Sequence, residues 1–123
     1  MVYEARFLED GVFVSVDLLE RRGDRLVLSE VKLTLEVKEQ PLSDVAIHLH
    51  VVRRAGLDVR RAEAMHPNRE CRYPDPSNLF VRAPVTSQLA PLLRLIADQT
   101  IALRGVVAGP LPEVATGAHC TTP

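Results

Sequence analysis

Two turn dipeptides separate three strand-like stretches, and this pattern constrains the fold more than any other feature of the sequence. Residues 2–8 and 11–19 have the composition of short strands, and Asp10-Gly11 between them tolerates the left-handed backbone of a tight hairpin turn. Gly23-Asp24 provides a second turn, after which the side chains of 25–34 alternate as in a third strand. The sequence therefore predicts an antiparallel meander of three strands.

A helix and a further strand are predicted after the meander. Residues 42–55 place apolar side chains at helical spacing, with Ser43 or Asp44 near the start and Gly56 positioned to end the helix. Residues 57–66 contain a short stretch suited to a strand. Because a helix followed by a strand after a meander indicates a crossover onto the same sheet, we expect an α/β or α+β fold with a mixed sheet.

The second half of the chain is predicted to contain a long loop, a helix and a linker. Residues 67–84 are rich in Pro, Asn, Asp and Arg, which indicates a loop with a brief strand near 79–82. Thr86 is a candidate cap for a helix over about 87–107. We expect one domain over 1–109, followed by a linker over 110–123 that leads to a region outside this chain.

Composition excludes some classes of protein and leaves others open. The chain has 15 Lys and Arg residues against 16 Asp and Glu residues, so a nucleic-acid-binding surface would have to be local. Arginine pairs such as Arg53-Arg54 are either solvated faces or phosphate contacts.

No apolar run reaches the roughly 18 residues of a membrane helix, and the first residues do not have the composition of a leader peptide. We therefore expect a soluble, cytoplasmic protein with reduced thiols at Cys71 and Cys120, and no membrane partner.

Three charged residues of the meander are candidates for chemistry. Glu30 and Lys32 project from the same face of the third strand, and Asp17 on the neighbouring strand can reach that face. Two carboxylates suit a hard divalent cation, which activates water and neutralises phosphate charge. Lys32 would either position the attacking water or stabilise the transition state. An isolated Glu-X-Lys is more often a solvated salt bridge, so the order of strands and helix around it carries the interpretation.

The sequence also resembles a family of nucleases. The resemblance rests on the following strings: Tyr3-Glu4-Ala5, Val16-Asp17-Leu18-Leu19, Ser29-Glu30-Val31-Lys32, Asp44-Val45-Ala46, Ala55-Gly56-Leu57, Met65-His66-Pro67-Asn68-Arg69-Glu70 and Asn78-Leu79-Phe80. Together they are similar to an uncharacterised RecB-like family of the PD-(D/E)XK nuclease superfamily, over nearly the whole chain. The resemblance implies a restriction-endonuclease-like core without its N-terminal helices. It also implies that Asp17 and Glu30 bind Mg²⁺ or Mn²⁺ and that Lys32 is catalytic.

Other positions of the resemblance carry further expectations. His48 occupies the position of a Gln that is typical of the family, and Cys71 that of a usual Tyr. His48 shares a helix face with Asp44 and contacts either the metal or DNA, or else is a partly buried structural His. Glu4 is either an exposed strand carboxylate or a residue that lines the site. Cys120 resembles a ligand of a 4Fe–4S cluster whose other cysteines lie outside this chain.

The functional expectation is a metal-dependent DNA nuclease, of which an exonuclease acting at ends or on single strands is the form that the resemblance implies. The alternatives are a catalytically inactive nucleic-acid-binding module of the same fold and a small interaction domain with no nucleic-acid role. DNA is the expected partner, together with helicase or repair proteins, and the oligomeric state stays open.

Overall fold

A computed structural model describes residues 1–33 and 39–111 and positions 113, 115 and 117, without the side chains of 39–41. The elements in chain order are: strands β1 (Val2–Glu9), β2 (Val12–Arg22) and β3 (Arg25–Val31), helix α1 (Glu39–Arg54), strands β4 (Val59–Pro67) and β5 (Phe80–Pro84), a short 3₁₀ helix (Thr86–Leu89) and helix α2 (Ala90–Ala108). Neither α-helix of the described residues is both long and apolar enough to cross a bilayer.

The strands form one mixed sheet in the order β1-β2-β3-β4-β5. β1, β2 and β3 are antiparallel neighbours, and β4 pairs with β3 in parallel, with α1 as the crossover between them. β5 then pairs antiparallel with β4. This confirms the predicted α+β class, the meander and the crossover onto the same sheet.

The turn dipeptides adopt the conformations that the sequence predicts. Asp10 and Gly11 have φ values of 50° and 75°, and Glu9 pairs directly with Val12 across the two-residue turn. Gly23, with φ of 65°, makes the next turn. Left-handed backbone at these positions matches the right-handed twist of paired strands, and it sets the register of the meander.

Helix α1 packs on one face of the sheet, and α2 packs against α1 and the 3₁₀ helix. The buried core joins sheet residues such as Val16 and Leu28 to Leu49 of α1, Leu89 of the 3₁₀ helix and Ile96 of α2. Removal of this apolar surface from water is the main force that holds α1 over the middle of the sheet. This position of α1 brings Asp44 and His48 to the end of β3.

The opposite face of the sheet carries a charged network: Glu20, Ser29 and Glu63 are buried, and Arg22, Arg61 and Arg82 cover them. The Glu63 side chain is only 1% exposed, and Arg22 binds both of its carboxylate oxygens, at 2.9 and 3.0 Å. Buried carboxylates persist in a fold only when they are paired and hydrogen-bonded in this way. This face is therefore stabilised by ion pairs, whereas the face that the helix covers is stabilised by apolar packing.

The start of the last helix differs from the prediction. Thr86 opens the 3₁₀ helix and does not cap a helix: its hydroxyl accepts a hydrogen bond from the Ala62 amide at 2.9 Å and donates one to the Ala62 carbonyl at 3.2 Å. The α-helix begins at Ala90, with Pro91 in its first turn. The cap prediction was wrong because a threonine hydroxyl can bond to a neighbouring strand as readily as to its own helix.

Candidate active site

An irregularity in the first two strands sets the position of Asp17. Val16 and Leu19 both belong to the core, so the strict alternation of β2 shifts by one residue between them. Glu4 of β1, between the pairs Tyr3–Leu18 and Ala5–Val16, has φ of 52°, a conformation that is strained for a residue with a side chain. The local distortion coincides with the position from which Asp17 reaches the end of β3.

The Asp17 carboxylate is tied to the end of β3 by the backbone. The Val31 amide donates a hydrogen bond of 2.6 Å to Asp17 Oδ2, and among the described residues no group bonds the other oxygen, Oδ1. One oxygen therefore fixes the side chain beside the end of β3, and the second is available to a ligand.

Glu30 is the buried centre of the site, with a side chain that is only 7% exposed. Its Oε1 lies 3.2 Å from Lys32 Nζ, and its Oε2 lies 2.8 Å from His48 Nδ1. Each carboxylate oxygen has two lone pairs, so both oxygens retain the capacity for one more ligand. The two partners hold the carboxylate in one orientation.

Helix α1 provides the other half of this arrangement. Asp44 and His48 lie one turn apart on the helix, and they contact Lys32 and Glu30 respectively. The distance from Asp44 Oδ2 to Lys32 Nζ is 2.9 Å. The Glu-X-Lys pair at the end of β3 therefore meets an Asp-X-X-X-His pair of α1, and the Lys32 ammonium group lies between the carboxylates of Asp44 and Glu30.

Burial, hydrogen bonds and neighbouring charges shift the pKa values of Asp17 and Lys32. Burial is the largest cause that raises the pKa of Asp17; Glu30 and Glu4 raise it further, while the Val31 amide and Lys32 oppose the change. Burial alone would lower the pKa of Lys32, but its hydrogen bonds and charge interactions with Asp44 and Glu30 outweigh this and raise it. Lys32 is therefore a firmly protonated ammonium group.

The donor set fits a hard divalent cation such as Mg²⁺ or Mn²⁺ better than a softer metal such as Zn²⁺ or Cu²⁺. Asp17 and Glu30 supply carboxylate oxygens, which Mg²⁺ prefers, and this ion commonly takes only one or two of them and completes its shell with water. Within the described part of the chain no group of three or more His, Cys, Asp or Glu residues is arranged to hold a metal. A site of two carboxylates, with the remaining positions open to water and substrate, is the arrangement that these residues allow.

The structure brings most of the predicted site residues together. Glu30 is hydrogen-bonded to both Lys32 and His48. Asp17 lies close enough to Glu30 for the charge of Glu30 to raise the pKa of Asp17. Cys120 lies outside the described residues, so its role as a cluster ligand stays a prediction.

Two further outcomes concern acidic residues. Glu4 is exposed, accepts a hydrogen bond from the Ser15 hydroxyl at 3.0 Å and still influences Asp17 electrostatically. Asp44 was predicted only as a residue near the start of the helix that shares a face with His48, and its contact with Lys32 was missed. The four-residue spacing of the two was the signal that could have revealed it.

Comparison with known proteins yields little. No protein-family model matches the chain, and no curated protein matches it. One solved structure with detectable similarity is titled "Crystal structure of SSO0001"; it is 15% identical, with a TM-score of 0.43, over 92% of this chain and 52% of that one. The chain thus spans about half the length of that protein, and a likeness at this level supports no argument about function.

Proposed function

We propose that this chain is the catalytic core of a metal-dependent nuclease that hydrolyses phosphodiester bonds in DNA. The observation that carries the proposal is the buried Glu30 carboxylate, which is bonded to Lys32 and His48 and lies beside the partly desolvated Asp17. A carboxylate pair with an adjacent ammonium group is a donor set that can support metal-dependent phosphodiester hydrolysis.

Each residue has a distinct role in this proposal. Asp17 and Glu30 would hold Mg²⁺ or Mn²⁺, which when bound supplies an activated water and neutralises phosphate charge. Lys32 keeps its proton because its pKa is raised, so it acts as a hydrogen-bond donor and not as a general base. It orients the attacking water or stabilises the charge that develops on the phosphate. His48 orients Glu30 through its ring nitrogen.

Burial argues against the simplest alternative, an ordinary surface salt bridge. Exposed pairs stabilise proteins little, and they leave both partners in water. Glu30 is instead 7% exposed, and the Lys32 side chain is 23% exposed. Desolvation of charges costs stability, and proteins commonly bear this cost at functional sites.

The finer parts of the proposal rest on the sequence resemblance. These are the preference for DNA, a RecB-like exonuclease activity, a 4Fe–4S cluster that includes Cys120 in a longer protein, helicase or repair partners, and action in the cytoplasm. The alternative is an inactive nucleic-acid-binding module of the same fold, which would bind DNA through its arginines without cutting it.

A cleavage assay separates these functions. The purified chain is incubated with Mn²⁺ or Mg²⁺ and end-labelled single-stranded DNA, double-stranded DNA or RNA, and the products are separated on a denaturing gel. We expect metal-dependent cutting of DNA that Lys32→Ala abolishes while the circular dichroism spectrum is unchanged. Lys38→Ala is the matched control, because lysine occurs in this chain only at positions 32 and 38. Metal-independent binding without cutting would support the inactive module, and neither binding nor cutting would refute both.

A further inference from the structure

Asp44 makes a contact that the proposed reaction does not yet explain. It is the sixth residue of α1, beyond the first turn, and its side chain is 50% exposed. Its Oδ2 nevertheless lies 2.9 Å from Lys32 Nζ, which is shorter than the 3.2 Å between Lys32 Nζ and Glu30 Oε1. The shorter of the two contacts of the lysine is therefore with helix α1 and not with the adjoining strand β3.

We propose that Asp44 is a positioning residue, which holds the Lys32 ammonium group in place while Glu30 engages a cation. This inference rests on the proposed nuclease function. Both oxygens of Glu30 are already bonded, one to Lys32 and the other to His48. If Asp17 and Glu30 held a divalent cation, Glu30 would attract the ammonium group less strongly, because its charge would be shared with the cation and the two positive charges would repel each other. The hydrogen bond to Asp44 would then be the one that keeps Lys32 in position.

The donor geometry of lysine makes this second tether useful. An ammonium group has three N–H donors on a flexible stem, and a single hydrogen bond leaves it free to swing. Two of these N–H donors are used: Glu30, near the end of β3, accepts one, and Asp44, in helix α1, accepts the other. Among the described residues no group takes the third donor, which is available to water or to a phosphate oxygen.

The alternative role for Asp44 is that of a further metal ligand. The described residues contain no group of three or more His, Cys, Asp or Glu side chains that could hold a metal ion, and Oδ2 of Asp44 already accepts a hydrogen bond from Lys32. A ligand role predicts that removal of Asp44 weakens cation binding as much as removal of Asp17. A positioning role predicts that cation binding is retained.

The first test measures the order of the lysine ammonium group directly and needs no enzymatic activity. Nitrogen-15 NMR of lysine ammonium groups reports their hydrogen bonding and internal motion, and Lys38→Arg leaves Lys32 as the sole lysine. In this background, with saturating Mg²⁺, we expect an ordered Lys32 signal that Asp44→Ala makes mobile and Asp44→Glu restores in part. Ser43→Ala, at the adjacent exposed position of α1, is the matched control and is expected to leave the signal unchanged. An equally ordered ammonium group in Asp44→Ala would overturn the inference.

The second test compares binding and turnover. For Asp44→Asn we expect kcat to fall about 10- to 100-fold, as is typical when a residue that orients a functional group is lost, with KM for DNA within about twofold and Mn²⁺ affinity by calorimetry unchanged. Loss of Mn²⁺ affinity equal to that of Asp17→Asn would identify Asp44 as a ligand and overturn the positioning role. If the parent chain cuts no DNA, the nuclease proposal fails, and the ammonium order and the Mn²⁺ affinity still decide whether Asp44 positions Lys32.

Discussion

The carboxyl group of Asp17 is held where burial raises its pKa, so its ionised form is disfavoured in the fold. A carboxyl group with a raised pKa contributes stability that is present at low pH and is lost as the pH rises through the folded-state value. At neutral pH without metal, the ionised Asp17 therefore lowers the stability of the protein. Such a cost is common where a site is arranged for function at the expense of stability.

Substitution of Asp17 tests this cost and the metal site together. We expect Asp17→Asn, without metal, to unfold at the same temperature as the parent or at a higher one, because the amide carries no charge and can still accept the Val31 hydrogen bond. With Mn²⁺ about 100-fold above its Kd, the parent should gain about 2.7 kcal/mol of stability, and Asp17→Asn should gain almost none. Thermal denaturation with and without Mn²⁺ measures both effects.

The control for this experiment is Asp24→Asn, in the turn after β2, where the side chain is 91% exposed. It should match the parent with and without Mn²⁺. A clear fall in melting temperature in Asp17→Asn, combined with a full response to Mn²⁺, would mean that Asp17 has a structural role and binds no metal.

At the scale of elements, the sequence predicts the ends of helices and strands best where a glycine specifies the backbone conformation. The end of α1 is an example: the Leu57 amide bonds to the Val52 carbonyl and the Gly56 amide to the Arg53 carbonyl, around a left-handed Gly56 with φ of 89°. This is a Schellman motif, which Gly56 indicated in advance. The start of α1 is earlier than the predicted position 42, because apolar spacing marks the packed face and not the first turn.

A pair of glycine substitutions should have effects of opposite sign. Gly56→Ala would force a side chain into left-handed backbone with no compensating contact, since nothing lies within 4 Å of the added methyl group. We expect a loss of about 1 kcal/mol. Gly105→Ala lies inside α2, where the added methyl group also meets nothing, and should gain about 0.5–1 kcal/mol from helix propensity.

Urea denaturation of the two variants measures both changes on one scale. Because neither added methyl group meets an atom within 4 Å, a difference between the two variants reports the backbone conformation and not a steric clash. Equal effects of the two substitutions would show that the left-handed backbone at Gly56 is not what the sequence specifies there.

At the scale of the whole molecule, the sequence predicts contacts within a strand and between strands joined by a turn, and it misses individual side-chain contacts between a helix and the sheet or between strands far apart in the chain. Glu30 and Lys32 are two residues apart, so their shared face follows from strand geometry alone. The bond between Lys32 and Asp44 depends on the packing of α1 over the sheet, and the binding of Glu63 by Arg22 joins residues that are 41 positions apart. Such pairs require the register of several elements at once, which no local pattern contains.

The charged face of the sheet should determine how the molecule responds to acid. Burial would raise the pKa of Glu63, but Arg22, Arg61 and Arg82 together outweigh it and lower the pKa from its ordinary value of 4.5; Glu20 is lowered in the same way, chiefly by its hydrogen bond with Arg22. A lowered carboxyl pKa contributes stability that is present above the unfolded-state value and is lost as the pH falls through the folded-state value. The stability that Glu63 and Glu20 contribute should therefore be constant near neutral pH and be lost as the pH falls below about 4.5.

Glu63→Gln provides the test, measured as urea unfolding at a series of pH values from about 7 down to about 3. At neutral pH we expect a loss of about 3 kcal/mol, because three guanidinium groups lose their buried counter-charge. Below about pH 4.5 the curve of the variant should be shallower than that of the parent, since one of the groups that gain protons is gone. The control is Asp58→Asn, which removes the carboxylate of the largely exposed ion pair between Asp58 and Arg60. This variant should leave the stability at neutral pH unchanged. If Glu63→Gln follows the parent in parallel at every pH, the acid response arises elsewhere, and the face opposite the helices is held by packing of the arginine stems and not by charge.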